Sequence, residues 1–262
     1  MMGRPSTAVT MPGVESPAGG KRLMVLGIPI LLCSFEQAVA RIRTMIGIRY
    51  PQHVVLANAH TLNLACEHAS YRSILRRSAL VLRDGVGVEL AVRHRGLSPA
   101  HNFVGTDFVP ALLNALGPRE LRVFLLGGRS GVAEAAGTVL ASRTPHVRVV
   151  GTANGYGARV FAVEQIRAAR PDVLLVGLGN PLQERWIDAH LARLGVPVSI
   201  GVGALFDFLA GRVPRAPRWL LRLRGEWLFR LVVEPGRLWR RYVLGNPRFL
   251  WRALHDHGGH SW

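Results

Sequence analysis

The sequence predicts an α/β fold, a mostly parallel sheet with helices on both faces, followed by a basic, Trp-rich helical appendage. Three observations carry this expectation. Short apolar runs alternate with amphipathic helical stretches, and that alternation calls for crossover connections between parallel strands. Hydrophobic residues make up 49% and charged residues 19% of 262 residues, enough to bury a sizeable core. Composition then shifts near Gly211, beyond which Arg, Leu and Trp dominate.

Residues 1–20 are rich in Pro, Gly, Ser and Thr without hydrophobic period and read as a disordered leader. Leu23–Cys33 imitates the apolar core of a signal peptide, but Gly27 and Pro29 break it into a strand-turn-strand pattern. Ser34-Phe35-Glu36-Gln37 then reads as a capping box opening a helix. His53–Ala57, Ala79–Leu82, Leu121–Leu126, Val147–Gly151, Asp172–Gly177 and Pro197–Val202 read as buried strands. Helical periodicity marks Phe35–Ile46, Val86–Arg95, Phe108–Leu116, Gly131–Ser142, Val160–Ala169 and Leu182–Leu194. The expected organisation is a Rossmann-like catalytic domain over 21–211 and an appendage over 212–262. No segment reaches the roughly 18 uninterrupted apolar residues of a membrane-spanning helix.

The formal charge is +17, which points to an anionic partner: nucleic acid, anionic lipid or a phosphorylated substrate. Lys21 is the only lysine among 33 basic residues, and an Arg bias this strong partly reflects coding composition. Cys33 and Cys66 form neither a disulfide framework nor a zinc quartet, and fit a reducing compartment.

In an open parallel sheet, ligands bind beyond the carboxyl ends of the strands. The loops there are Asn58–Asn63, Asp84–Gly87, Gly127–Gly131, Asn154–Gly157 and Gly177–Glu184. Small and polar residues let backbone N–H groups and helix dipoles approach an anion such as a diphosphate. Gly127–Gly131 lacks the Lys-Ser/Thr of a Walker loop and the spacing of a dinucleotide fingerprint. Each loop alone reads more simply as a tight turn, Asp84 reads equally as a helix cap, and Thr61 and Ser130 also fit as caps. Asp207 stands inside the apolar run Ala204–Phe208, where a carboxylate needs a partner or a site. No D-x-D pair occurs, and the terminal His255, His257 and His260 read as a solvated tail rather than a metal centre.

In combination the loops are more specific. Asn58-x-x-Thr61-x-Asn63, Asp84-Gly85-x-Gly87, Gly105-x-Asp107, Gly177-x-Gly179-x-Pro181-x-Gln183-Glu184-x-Trp186 and Gly201-Val202-Gly203-Ala204 occur in order. They continue into Arg215-Ala216-Pro217-x-Trp219, Glu226-Trp227-x-x-Arg230 and Glu234-Pro235-x-Arg237-Leu238-Trp239-Arg240-Arg241. From about residue 23 to 250 the series resembles the WecG/TagA/CpsF glycosyltransferases, glycosyltransferase family 26. That family includes N-acetylmannosaminyltransferases of teichoic acid and enterobacterial common antigen synthesis, and exopolysaccharide relatives.

The resemblance implies an inverting hexosyltransferase that needs neither metal nor cofactor. It would move a hexose from a UDP-sugar to a saccharide on a polyprenyl diphosphate, as a peripheral protein at the cytoplasmic membrane face. It makes Asp84 the general base toward the acceptor hydroxyl. Thr61 and Asn63 would position sugar or acceptor; Tyr156, Gln183 and Asp207 would line the nucleotide pocket, with Asp207 receiving the uracil N–H. Arg215, Arg230 and Arg237 would neutralise the departing diphosphate. The chain departs from the family in Leu64-Ala65, where Pro-Glu is common, and in His101, where a charged residue is common; the first bears on the identity of the sugar.

The tail points the same way on independent grounds. Arg212–Trp262 holds eleven Arg against three acidic residues, and five of the six Trp. Leu220, Leu223, Trp227, Leu228 and Leu231 recur at helical spacing among Arg218, Arg222, Arg224 and Arg230, as in a helix lying on an anionic membrane surface. The same stripe also suits packing on the domain. A nucleic-acid-binding protein is the rival class, but no helix-turn-helix or RNP-like pattern occurs, so nucleic acid is not expected as a partner. An oxidoreductase would need an intact glycine fingerprint with an acidic residue about twenty positions on. A homo-oligomer is compatible with all of this.

Overall fold

The computed structural model describes residues 19–156, 161–217, 220 and 225–256, without the side chains of Glu226 and Arg237. Most of the leader, Arg218, Trp219, Arg222, Leu223, Arg224 and the last six residues lie outside the described residues.

The chain opens with an antiparallel hairpin, β1 (Lys21–Val25) and β2 (Ile28–Leu32). Ser34 then caps α1 (Phe35–Ile48) in a complete capping box with Gln37. There follow β3 (Gln52–Ala57), α2 (Ala59–Glu67), α3 (Ala69–Arg77), β4 (Leu80–Arg83), α4 (Val86–His94), α5 (Gly105–Ala115) and β5 (Leu121–Gly127). Next come α6 (Val132–Arg143), β6 (Val147–Ala153), α7 (Ala162–Ala169), β7 (Val173–Gly177), α8 (Leu182–Leu194), β8 (Val198–Gly201) and α9 (Leu205–Leu209). The sequence-predicted strands all form, with ends shifted by no more than two residues. Asn58–Asn63, read as a loop, is helical from Ala59: the Asn58 side chain accepts from Thr61 N–H at 3.1 Å and starts α2 at once.

The strands join in the order β1-β2-β4-β3-β8-β7-β5-β6, parallel except for the β1–β2 hairpin. Alternate strand residues face opposite layers. Val54, Leu56, Val173, Leu175, Val198 and Ile200 pack under α1, α5, α6 and α9. Val55, Ala57 and Val81 pack under α2, α3 and α4, while Leu174, Val176 and Leu126 pack under α7 and α8. At the carboxyl ends, Gly127 (φ 145°) is required by closeness: a Cβ there would lie 2.4 Å from the Gly177 carbonyl oxygen.

The appendage contains α10 (Glu226–Val233), α11 (Pro235–Trp239), a π-helical turn (Arg240–Leu244) and α12 (Gly245–Leu254). It is not merely tethered. Phe249 and Ala253 of α12 are buried in the core with α2 and α4. Asn63 Nδ2 donates to Gly245 O at 2.7 Å, Arg252 reaches Asn63 Oδ1 at 3.0 Å, and Arg95 pairs with Asp256 at 2.6 Å. Phe249 and Ala253, which lie outside the stripe read from sequence, pack inward, while Trp227 and Leu228 of that stripe are exposed and Leu223 lies outside the described residues.

Candidate active site

Two adjoining cavities open over the carboxyl ends of the central strands, where the parallel topology collects its loops. The smaller, about 370 Å³, is lined by Asp84, Asn102, Asp107 and the Gly201–Leu205 turn, with Trp227, Arg230 and Tyr242 contributed by the appendage. The larger, about 810 Å³, is lined by Arg129, Tyr156, Asp207 and Leu178, with Leu238, Arg240 and Arg248 from the appendage. His60, Asn180 and Arg241 line both, so the cavities form one cleft with the sheet as floor and the appendage as roof.

Asp84 follows β4 directly, and its N–H donates to Ala57 O at 2.8 Å, extending the β3–β4 ladder by one bond. The neighbouring residues are held tightly. Arg83 is 2% exposed; it pairs with Glu89 at 3.3 Å and donates to Pro99 O at 2.9 Å and Asn102 Oδ1 at 3.4 Å. Gly85 N–H donates to Asn102 Oδ1 at 2.9 Å. The carboxylate thus projects from a backbone fixed on both sides, as a group that must meet a reacting hydroxyl requires.

Gln183 is buried at the foot of the cleft. Its Oε1 accepts from Gly179 N–H at 3.1 Å and Gly203 N–H at 3.0 Å, tying the loops after β7 and β8 together. Its Nε2 donates to Glu184 Oε1 at 2.7 Å, and Glu184 also accepts from Asn180 at 2.8 Å and from the Tyr71 hydroxyl at 3.0 Å. Burial pushes the Glu184 carboxyl up to about 7 and raises the Tyr71 hydroxyl as well. Burial, reinforced by the Arg241 cation, pushes His60 down to about 4, so a neutral imidazole stands where the cavities meet.

Asp84 and Arg230 therefore share one cavity, Tyr156, Asp207 and Asn63 share the other, and Gln183 braces the wall between the loops. Arg230 stacks 5.2 Å over the Phe208 ring, sits 4.0 Å from Glu234, and its Nε has no acceptor among the described residues. Arg215 is exposed and pairs with Asp107, whose carboxylate lines the smaller cavity. Thr61 is fully buried as the capping partner of Asn58 and borders neither cavity. Asn63 uses its amide to hold α12, and the Arg237 side chain lies outside the described residues. His60 and Arg129 lie in loops that the sequence marks, whereas Asn102, Arg240, Arg241 and Arg248 were not anticipated as cleft residues. Arg240 and Arg241 end the last quoted motif, but Asn102 belongs to no motif.

Among the described residues no three His, Cys, Asp or Glu side chains converge as metal ligands, and no helix is long and apolar enough to cross a membrane. The cleft is built from loops on a parallel sheet and lined by the carboxylates of Asp84, Asp107 and Asp207 and by several arginines. Residues 23–261 match the glycosyl transferase WecG/TagA/CpsF family, and the chain belongs to it. Among similar proteins, an N-acetylglucosaminyldiphosphoundecaprenol N-acetyl-beta-D-mannosaminyltransferase of Bacillus subtilis (strain 168) is 33% identical over 73% of this chain and 75% of its own length. The protein of the same name from Staphylococcus aureus (strain NCTC 8325 / PS 47) is 30% identical over 91% of this chain and 94% of its own. The protein is thus a glycosyltransferase, which favours that reading over the oxidoreductase and nucleic-acid alternatives.

Proposed function

We propose that the protein transfers a hexose, of N-acetylmannosamine or glucose type, from a UDP-sugar to a saccharide carried on a polyprenyl diphosphate, inverting the anomeric centre. The observation that carries this reading is the cleft itself, in which Asp84 lines the same cavity as Arg230 and Arg241 of the appendage. Asp84 takes the proton of the acceptor hydroxyl as that oxygen attacks the anomeric carbon from the side opposite the departing UDP. One C–O bond forms, the C–O bond to the diphosphate breaks, and the charge develops on UDP. Arg230, with Arg241 beside it on the cavity wall, meets that charge. Arg215 joins through its partner Asp107, and Arg237 is proposed to act from α11. Tyr156 and Asp207 hold the nucleotide in the larger cavity, Asp207 through the uracil N–H. Gln183 fixes the loops around it, Asn63 seats the roof, and Thr61 supports them by capping α2. The acceptor assignment draws on the relatives' names, which specify a diphosphoundecaprenol-linked sugar.

The roof supports a peripheral place on the cytoplasmic membrane face. Among the described residues, nine of the fifteen exposed large hydrophobic side chains lie between Trp227 and Leu254, including Val232, Val243 and Trp251. Apolar side chains interleaved with Arg suit an anionic headgroup layer, and each Arg near it contributes about 1 kcal/mol. A lipid-linked acceptor would then meet the cleft where its lipid is anchored. The deciding experiment is incubation with a panel of UDP-sugars and lipid-diphosphate saccharides, with products identified by mass. Sugar transfer that survives EDTA is the expected result. No product with any donor, or activity abolished by chelation and restored by Mg²⁺ or Mn²⁺, would count against the reading.

A further inference from the structure

Asn102 stands at the start of the segment leading into α5, on the wall of the smaller cavity beside Asp84. Its amide is oriented by its neighbours. One side of the carboxamide meets two donors, Gly85 N–H at 2.9 Å and the Arg83 guanidinium at 3.4 Å. Only the oxygen can face them; the turned-over amide would set an NH₂ group against an N–H and a cation. The Nδ2 group therefore points the other way, and it has no acceptor among the described residues. The support behind it is rigid. Arg83 is buried and held further by the Pro99 and Ala100 carbonyls and by Glu89, so the oxygen-side bonds fix the amide plane.

Resting on the transferase reading above, we infer that Asn102 is a specificity-determining substrate contact whose Nδ2 donates a hydrogen bond to an oxygen of the transferred sugar. The same carboxamide clamps the backbone of Gly85, next to the base. One rigid group thereby sets the distance between the sugar and the Asp84 carboxylate. A donor held in this way recognises an acceptor oxygen on the ligand, a sugar hydroxyl or an acetamido carbonyl. A donor substrate lacking that oxygen leaves the amide unpaired in the closed cleft, which discriminates against it.

The test separates the two ends of the amide. Asn102→Asp keeps an oxygen toward Gly85 N–H and Arg83 and replaces the NH₂ donor by a charged oxygen; Asn102→Ala removes both ends. Transfer would be measured on UDP-N-acetylmannosamine, UDP-N-acetylglucosamine and UDP-glucose with a lipid-diphosphate N-acetylglucosamine acceptor, then on deoxy analogues of the best donor. Rates would be taken on the pH plateau of each variant, because a new carboxylate beside Asp84 shifts the acidic limb. Expected for Asn102→Asp are an unchanged Tm, UDP affinity within about twofold, and a roughly 10- to 100-fold lower kcat/KM on the best donor. That penalty should largely vanish on the one analogue that lacks the contacted oxygen. A wild-type kcat/KM in Asn102→Asp, or an equal penalty on every analogue, would show that Asn102 is scaffold only and overturn the inference while leaving the transferase reading intact. Wild-type protein inactive on all three donors would instead overturn that reading, and this inference with it.

Discussion

Gln183, on the floor of the cleft, is 3% exposed, and its amide joins two glycine loops to a buried carboxylate; Trp251, on the roof, is 63% exposed. The floor is held by polar groups that find their partners inside the protein, each amide oriented by the donors and acceptors around it. The roof is seated by Phe249 and Ala253 and by the Asn63 and Arg95 contacts, and it leaves Val232, Val243 and Trp251 exposed. A floor of this kind fixes reacting groups to within a fraction of an ångström. A roof of this kind tolerates a second, deformable surface. Asp84, the proposed base, follows a strand of the sheet, and the arginines proposed to meet the diphosphate belong to the appendage.

The largest expected effect falls on the floor. Asp84→Asn should keep fold and UDP binding yet lose about 10²–10⁴-fold in turnover, the range of a general base. Near-normal turnover in the folded variant would reduce Asp84 to a strand-end residue. Next comes the seat of the roof. Phe249→Ala leaves a cavity among α2, α4 and α12, worth about 3–5 kcal/mol. Limited proteolysis should then cut the appendage well before the sheet unfolds, and unchanged protease resistance would show that the roof is held elsewhere. Arg230→Gln divides the roof's two surfaces. It should slow transfer to a soluble short-chain acceptor by about a hundredfold while liposome binding stays nearly intact. Equal losses in both assays would make Arg230 a membrane contact.

The smallest effect concerns pH. Glu184 holds its proton more tightly folded, near 7, than its ordinary value of 4.5. Between those values the unfolded chain has released the proton and the folded one has not, so this group's contribution to stability is full below about 4.5 and declines as pH rises through 7. Glu184→Gln should flatten that part of the Tm–pH curve, at a cost of about 1 kcal/mol at pH 5 for one poorer hydrogen bond. An unaltered slope would mean that another group titrates there.

What the chain alone determined was the sheet and the family. Buried strands of a parallel sheet are continuous apolar runs, and such runs survive in any one-dimensional reading; the Asp84 and Gln183 motifs are contiguous and survive likewise. Thr61 read equally as a cap and as a site residue, and only the fold showed its capping box with Asn58. The tertiary structure decided which face each polar group meets. It joined Asn63, on the wall of the larger cavity, to Gly245 and Arg252, across 182 and 189 residues of sequence. It brought Asn102, a residue in no motif, against Gly85 and onto the wall of the smaller cavity. Hydrophobic periodicity is a local property, set by helix and strand geometry. The partner of a single amide depends on which distant backbone group folding places beside it, and that information exists only once the chain has closed on itself.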